Sequence, residues 1–302
     1  MTHTELDQWS RHWLAVVETS LSSWIDPQAP AGLGEAMRYA VLDGGKRLRP
    51  LLVLAAREAM AGGVHDQVMD EAALRAACAV ELIHAYSLVH DDMPCMDNDV
   101  LRRGKPTVHV QFGEPQALLA GDALQALAFE LLTPELSDIP SRVQAHLCRL
   151  LASAAGYAGM AGGQAIDLAS VGAALSEDQL RQMHRLKTGA LLEGSVLMGA
   201  VCGTPTPQAL EGLKRYGRAL GLAFQVVDDI LDVIADSATL GKTAGKDAVN
   251  DKPTYVSLLG LEEAKSYAQS LLGEALDALH STGLTHTHTL AALAVRVVNR
   301  NT

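Results

Sequence analysis

TPQALEGLKRYGRALGLAFQVVDDILDVI, residues 206–234, is the most regularly patterned stretch of the chain. Leu210, Leu213, Gly217, Leu220, Phe224, Val227 and Leu231 recur at alternating steps of three and four. That period places them on one helical face, so a long helix with a buried seam is expected. A second stripe runs beside the seam: Gln225, Asp228 and Asp232, with Asp229 next to it. Carboxylates one turn apart on a helix repel each other. Desolvation beside a buried seam worsens the repulsion. A cation held between them relieves both costs.

A second acidic cluster lies far upstream in HDDMPCMDNDVLRR, residues 90–103. It holds Asp91, Asp92, Asp97 and Asp99, with Arg102 and Arg103 directly after. Carboxylate oxygens suit Mg²⁺, which keeps several waters and is usually shared with a substrate phosphate. Arginine forks suit phosphate oxygens. Alone, such a run reads as a solvated acidic loop after a helix. Paired with residues 228–232, it reads as half of a metal–diphosphate site.

Composition sets the frame. The 302 residues carry 24 basic and 35 acidic side chains, a net charge of −11, which argues against a nucleic-acid partner. Apolar residues make up 48% and aromatics only 4%, with alanine and leucine dominant, a helical composition. No strand pattern and no linker is evident, so one all-α domain over residues 1–302 is expected, its helices facing the two acidic clusters across one cavity. Cys78, Cys95, Cys148 and Cys202 are scattered with no CxxC pair. That fits a reduced, cytoplasmic chain. The N-terminus has no cleavable apolar core, and no apolar run reaches about eighteen residues, so no membrane span is expected.

Working outward along the chain, residues 4–25 read as an amphipathic helix carrying Trp9, Trp13, Val17, Leu21 and Trp24, ended before Pro27. A helix near 33–43 precedes GGKRLRP at 44–50. There Gly44 and Gly45 stop the helix, and Lys46, Arg47 and Arg49 gather before a helix near 51–61. The stretch reads either as an anion cradle or as a basic helix start on the surface. Residues 70–92 read as a long helix on which His84, Ser87 and Asp91 share a face, His84 about 10 Å below Asp91. Pro94 marks the exit into a loop reaching about Pro115. Helices near 116–132, 141–160 and 176–202 follow. GGQAIDL, with Gln164 and Asp167, lies between the second and third, and Lys187-Thr188 lies within the third. GKTAGKDAVNDKPTY at 241–255 is a basic loop with Lys242, Lys246 and Lys252. Helices near 254–260, 261–280 and 287–299 close the chain.

Two aspartate clusters, several basic stretches and an apolar helical interior suggest a metal-bound diphosphate at the mouth of an apolar cavity. Diphosphate leaves only once its charge is neutralised. Breaking its carbon–oxygen bond leaves an allylic carbocation, which a dry cavity protects from water.

The motifs GGKRLRP, HDDMPCMDNDVLRRGKPT, KTGAL, FQVVDDILD and GKTAGKD resemble those of the trans-isoprenyl diphosphate synthases, most closely the bacterial farnesyl diphosphate synthases (geranyltranstransferases). The resemblance runs unbroken from about residue 35 to about 260. It implies an all-α isoprenoid synthase bundle around a central apolar cavity, usually a homodimer. It implies a Mg²⁺-dependent prenyltransferase, with three ions for which Mn²⁺ can substitute. Isopentenyl diphosphate would add head-to-tail to dimethylallyl and then geranyl diphosphate, giving farnesyl diphosphate and pyrophosphate. By the same resemblance Asp91, Asp97 and Asp228 are metal ligands, supported by Asp92 and Asp232. Arg102, Lys187, Thr188, Gln225, Lys242 and Lys252 surround the allylic diphosphate. Gly45, Lys46, Arg49, His84 and Arg103 form the isopentenyl diphosphate site. The catalytic set is then Asp91, Asp97, Arg102, Lys187, Asp228 and Lys242. Asn98 and Val100 stand where some relatives carry aspartate, away from the ligand positions. Tyr86, five positions before the first motif, matches the residue that floors the cavity and suggests a fifteen-carbon product, although helical geometry points Ser87 into the site more directly. The rivals are a longer-chain geranylgeranyl diphosphate synthase, a terpene cyclase, a metal-dependent phosphohydrolase and a non-catalytic synthase subunit.

Overall fold

Thr2 caps the first helix: its hydroxyl accepts from the Glu5 N–H (3.3 Å), and the Glu5 carboxylate accepts from the Thr2 N–H (2.7 Å). The computed structural model describes residues 1–42, 44–170, 172, 175–234 and 254–300. Its helices are α1 (His3–Trp24), α2 (Leu33–Val41), α3 (Leu48–Ala61), α4 (Gln67–Asp91), α5 (Val108–Phe112), α6 (Glu114–Leu132) and α7 (Ser141–Ala155). Then come α8 (Met160–Ala169), α9 (Glu177–His184), a π-helical turn (Arg185–Gly189) and α10 (Ala190–Val201). The chain continues with α11 (Pro207–Ile234), α12 (Tyr255–Leu259), α13 (Leu261–His280) and α14 (His288–Val298). Lys242, Lys246 and Lys252 lie outside the described residues.

Helix α4 is central. It packs against α1, α2, α3, α6, α7 and α10, while α10 bridges to α11 and α11 lies along α13. Alanines make this approach possible: Ala72, Ala73, Ala76, Ala77 and Ala79 are all at most 1% exposed. By length and composition α4 could cross a membrane, unlike the expectation from uninterrupted apolar runs. However, 67% of its apolar window is buried inside the fold, the position of a core helix.

The α11 seam is buried as its period predicts, at Leu213, Gly217, Leu220, Val227 and Leu231. Phe224 is only half-buried because it lines a cavity. Gly221 admits a close neighbour: a Cβ there would meet the Gly189 Cα at 2.8 Å. Two facing glycines thus let the π-helical turn lie directly on α11.

Three expectations change. GGQAIDL is not a connector but belongs to α8: Gly163 packs on the Lys187 backbone, and Gly162 lies against the Tyr157 carbonyl in the turn that starts the helix. The loop after Pro94 holds α5 and a two-residue antiparallel hairpin, Leu101–Arg102 with Lys105–Pro106, so strand is not wholly absent. Helix α3 begins at Leu48, so Arg49 and Pro50 lie in its first turn, where proline's missing N–H has no helical partner to lose.

Candidate active site

Asp91 ends α4, and the following loop folds back over that end. The Asp97 N–H donates to the Asp91 carbonyl (2.9 Å) and the Asp99 N–H to the Asp92 carbonyl (3.1 Å). Asn98 allows the reversal at φ +51, a left-handed conformation asparagine tolerates. Asp91 is therefore held beside Asp97 and Asp92. Its carboxyl is pushed up to about 6, first by burial and then by those neighbours, against the pull of Lys187 and Arg102. Asp92 turns inward and is 2% exposed. It takes a fork from Arg102, with Nε 2.8 Å from Oδ2 and Nη2 2.6 Å from Oδ1. Asp92 thus fixes the arginine that the hairpin presents.

The π-helical turn carries Lys187 and Thr188. Extra backbone in one turn re-aims side chains, and such turns recur at functional sites. Lys187 donates to Asp167 of α8 (Nζ to Oδ2, 2.6 Å). The Thr188 hydroxyl donates to Gln225 Oε1 (3.2 Å), and Gln225 Nε2 donates to Asp229 Oδ1 (2.9 Å). Asp229 Oδ2 in turn accepts from the Tyr255 N–H (2.8 Å). One polar chain therefore ties α8, the π turn, α11 and α12. It also joins the two acidic clusters, since Lys187 acts electrostatically on Asp91 while Gln225 lies one turn from Asp228 and Asp229.

Asp228 pairs with Arg300, whose guanidinium lies 4.1 Å from the Phe224 ring centroid. Sequence reasoning missed Arg300. A lone arginine just beyond the last helix carries no motif, and only its charge near the chain end hinted at a role.

GGKRLRP separates its cations. Arg47 points inward to Glu81 (2.8 Å), Glu18 (2.9 Å) and the Val41 carbonyl. Lys46, Arg49, His84 and Arg103 line a cavity of about 970 Å³ together with Phe224 and Arg300, and Arg47 reaches its wall while held by Glu81. Gly45 sits at φ +100, and a Cβ there would meet Arg103 Nη1 at 2.8 Å, so only glycine lets that guanidinium close over the backbone. Burial, then Arg49, Arg103, Arg102 and Arg47, hold His84 neutral, well below the usual imidazole range.

A second cavity, about 380 Å³, lies under Asp91 and Lys187 and is walled by Tyr86, Ser87, Met160 and Leu168. Arg49 and His84 line both cavities, so the two meet at those residues. Burial lowers the Arg49 pKa, while Glu81 and Asp228 favour its charge. Among the described residues no three Asp, Glu, His or Cys side chains already form a metal cage. That is compatible with Mg²⁺, which takes one or two carboxylates and completes its shell with phosphate and water.

The polyprenyl synthetase family model matches residues 30–287. The farnesyl diphosphate synthase of Escherichia coli (strain K12) is 49% identical over 274 residues, covering 88% of this chain and 89% of its own length. Geranylgeranyl pyrophosphate synthase 7, chloroplastic, of Arabidopsis thaliana is 46% identical over 287 residues, covering 94% and 81%. Among solved structures, an FPP/GFPP synthase from Zymomonas mobilis is similar with a TM-score of 0.85 at 42% identity, covering 98% of this chain and 100% of that one. A geranyltransferase from Helicobacter pylori, complexed with magnesium and isoprenyl diphosphate, gives 0.85 at 34% identity, with 99% of each chain covered.

Proposed function

The chain belongs to the polyprenyl synthetase family, and from that premise we propose that it makes farnesyl diphosphate and pyrophosphate from isopentenyl diphosphate and dimethylallyl, then geranyl, diphosphate. It is a trans-prenyl diphosphate synthase of the all-α isoprenoid synthase fold. The observation that carries the proposal is the meeting of an arginine-lined cavity and an apolar cavity at Arg49 and His84, with Asp91 and Lys187 over the apolar one.

In this reading isopentenyl diphosphate sits in the larger cavity, its diphosphate held by Lys46, Arg49 and Arg103 over the Gly45 backbone. His84, kept neutral, offers a hydrogen bond rather than a further charge. The allylic diphosphate is gripped by Arg102 and Lys187, with Thr188 and Gln225 beside it and Lys242 and Lys252 contributed from the 241–253 segment. Asp91 and Asp97 on one side and Asp228 and Asp232 on the other would hold Mg²⁺, being oxygen donors in two partly buried clusters whose repulsion a cation relieves, with Asp92 as support through Arg102. When bound, magnesium neutralises the diphosphate and so makes it a leaving group. The hydrocarbon tail lies against Tyr86, Ser87, Met160 and Leu168, which exclude water from the cation. The carbon–oxygen bond breaks, the double bond of isopentenyl diphosphate attacks the freed allylic carbon, and the departing pyrophosphate takes the proton.

The family match over 30–287 supports one synthase domain. Four free cysteines support a reducing, cytoplasmic location. A homodimer is part of the same proposal. Three Mg²⁺ ions, replaceable by Mn²⁺, complete the proposal. A longer-chain synthase is the second reading, favoured by the geranylgeranyl relative.

Incubation with labelled isopentenyl diphosphate, either allylic primer and Mg²⁺ tests the proposal. Chromatography should show a fifteen-carbon main product, and a twenty-carbon one would replace it with the second reading. Tyr86→Ala should lengthen the product; an unchanged main product would remove Tyr86 from the cavity floor.

A further inference from the structure

His90 and Tyr86 are one turn apart on α4 and share a face. Their rings meet edge to face, with centroids 5.7 Å apart, and both line the 380 Å³ cavity. His90 is keyed into α6. Its Nε2–H donates to the Leu118 carbonyl (3.0 Å), an acceptor that fixes which ring nitrogen carries the proton. The ring fills a notch that exists only because residue 121 is glycine: a Cβ there would lie 2.0 Å from Nε2 and 2.5 Å from Cδ2. Gln125, one turn further along the same face of α6, lies beside the Tyr86 hydroxyl. One face of α6 therefore holds both rings at the cavity wall.

We propose that His90, seated in the Gly121 notch, is a positioning residue that sets product length by bracing the Tyr86 ring against the growing chain. The proposal rests on the smaller cavity being the hydrocarbon site. Each five-carbon addition drives the tail deeper, and elongation stops when the tail meets a ring that cannot yield. A braced ring cannot yield, because close-packed side chains have no free space to enter. Emptying the notch gives Tyr86 somewhere to go. Crowding the notch pushes the imidazole off Leu118 and into the cavity.

The test is product analysis of the full chain with excess labelled isopentenyl diphosphate, dimethylallyl diphosphate and Mg²⁺, run with enzyme in excess over the five-carbon primer so that successive additions are counted even in slow variants. His90→Ala should raise the ratio of the next-longer product to the parent product at least tenfold. His90→Gln, which keeps a donor toward Leu118, should return that ratio toward the wild type. Gly121→Ala should shift products the other way, toward shorter chains. In the His90→Ala background the added methyl should have no effect, since the ring it clashes with is gone. A His90→Ala ratio equal to the wild type's, or a Gly121→Ala effect that persists without the imidazole, overturns the proposal. Both arms are read against the wild type's own product, so a wild type that makes a twenty-carbon product rejects the farnesyl assignment and leaves this test intact. If Gly121→Ala does not fold, the His90→Ala and His90→Gln pair decides.

Discussion

Arg47 and Arg49 are two positions apart and have opposite work. Arg47, at 5% exposure, donates to Glu81, itself 2% exposed, and adopts a left-handed φ of +47 at the start of α3. Arg49 lines both cavities and makes no ion pair among the described residues, whereas Arg47 is held by Glu18 and Glu81; the Nε of each lacks a hydrogen-bond partner. Breaking a buried pair by removing one partner leaves the other charge uncompensated, at about 3–5 kcal/mol. Arg47→Met should therefore lower stability by about that amount in urea unfolding. Arg49→Met removes a charge that burial already disfavours, so stability should stay within about 1 kcal/mol of the wild type. Its effect should appear in binding instead: hydrogen bonds to charged groups contribute about 1.5–3 kcal/mol, so KM for isopentenyl diphosphate should rise roughly ten- to a hundredfold. If both variants lose stability equally, the division of roles within GGKRLRP is wrong. The sequence located this stretch but did not separate its cations, because their fates depend on Glu18 and Glu81, which arrive from other helices.

The π-helical turn is the element that assembles the allylic side, and α8 sets its position. A Cβ at Gly163 would lie 2.1 Å from the Lys187 backbone nitrogen. Gly163→Ala must therefore push α8 and the π turn apart. Overpacking of this kind costs about 1–3 kcal/mol. Displacing Lys187 and Thr188 by about 1 Å should cost far more in function, about a hundredfold in kcat/KM. Thermal melts beside turnover assays check the contrast; parallel small losses in both would show that the turn's placement is not critical. This element also marks where the sequence ceased to be readable. Long helices were legible because α4 and α11 carry sustained periods, and the acidic clusters were legible because their charges are local. The π turn has no sequence period of its own, and the glycines of GGQAIDL look like turn residues until the helix they face is known. The larger cavity was illegible for a similar reason, since α3 and the end of α14 meet only in three dimensions.

At the scale of the whole molecule, the packing that builds the site also sets its response to acid. His184 ends α9, is 7% exposed, and lies 5.7 Å from the Tyr255 ring, with neither ring nitrogen hydrogen-bonded. Burial pushes it from 6.5 to about 4; Asp167 pulls the other way and Lys187 adds repulsion. The folded state therefore binds fewer protons than the unfolded state between those values. Its stability contribution is complete above about pH 6.5 and is lost as pH falls toward 4, a total of about 3 kcal/mol. Asp91, raised to about 6, has the opposite sign: it favours the folded state as pH falls through that range. The wild-type curve is a sum of both, so the informative quantity is a difference. His184→Phe keeps a ring beside Tyr255 and removes the titration. Its stability relative to the wild type should rise by about 2–3 kcal/mol between pH 7 and pH 4.5, read from urea unfolding at each pH. A relative stability that does not change with pH would mean that acid reaches His184 in the native fold. The cluster behind the Lys187–Asp167 pair would then be open to water rather than packed.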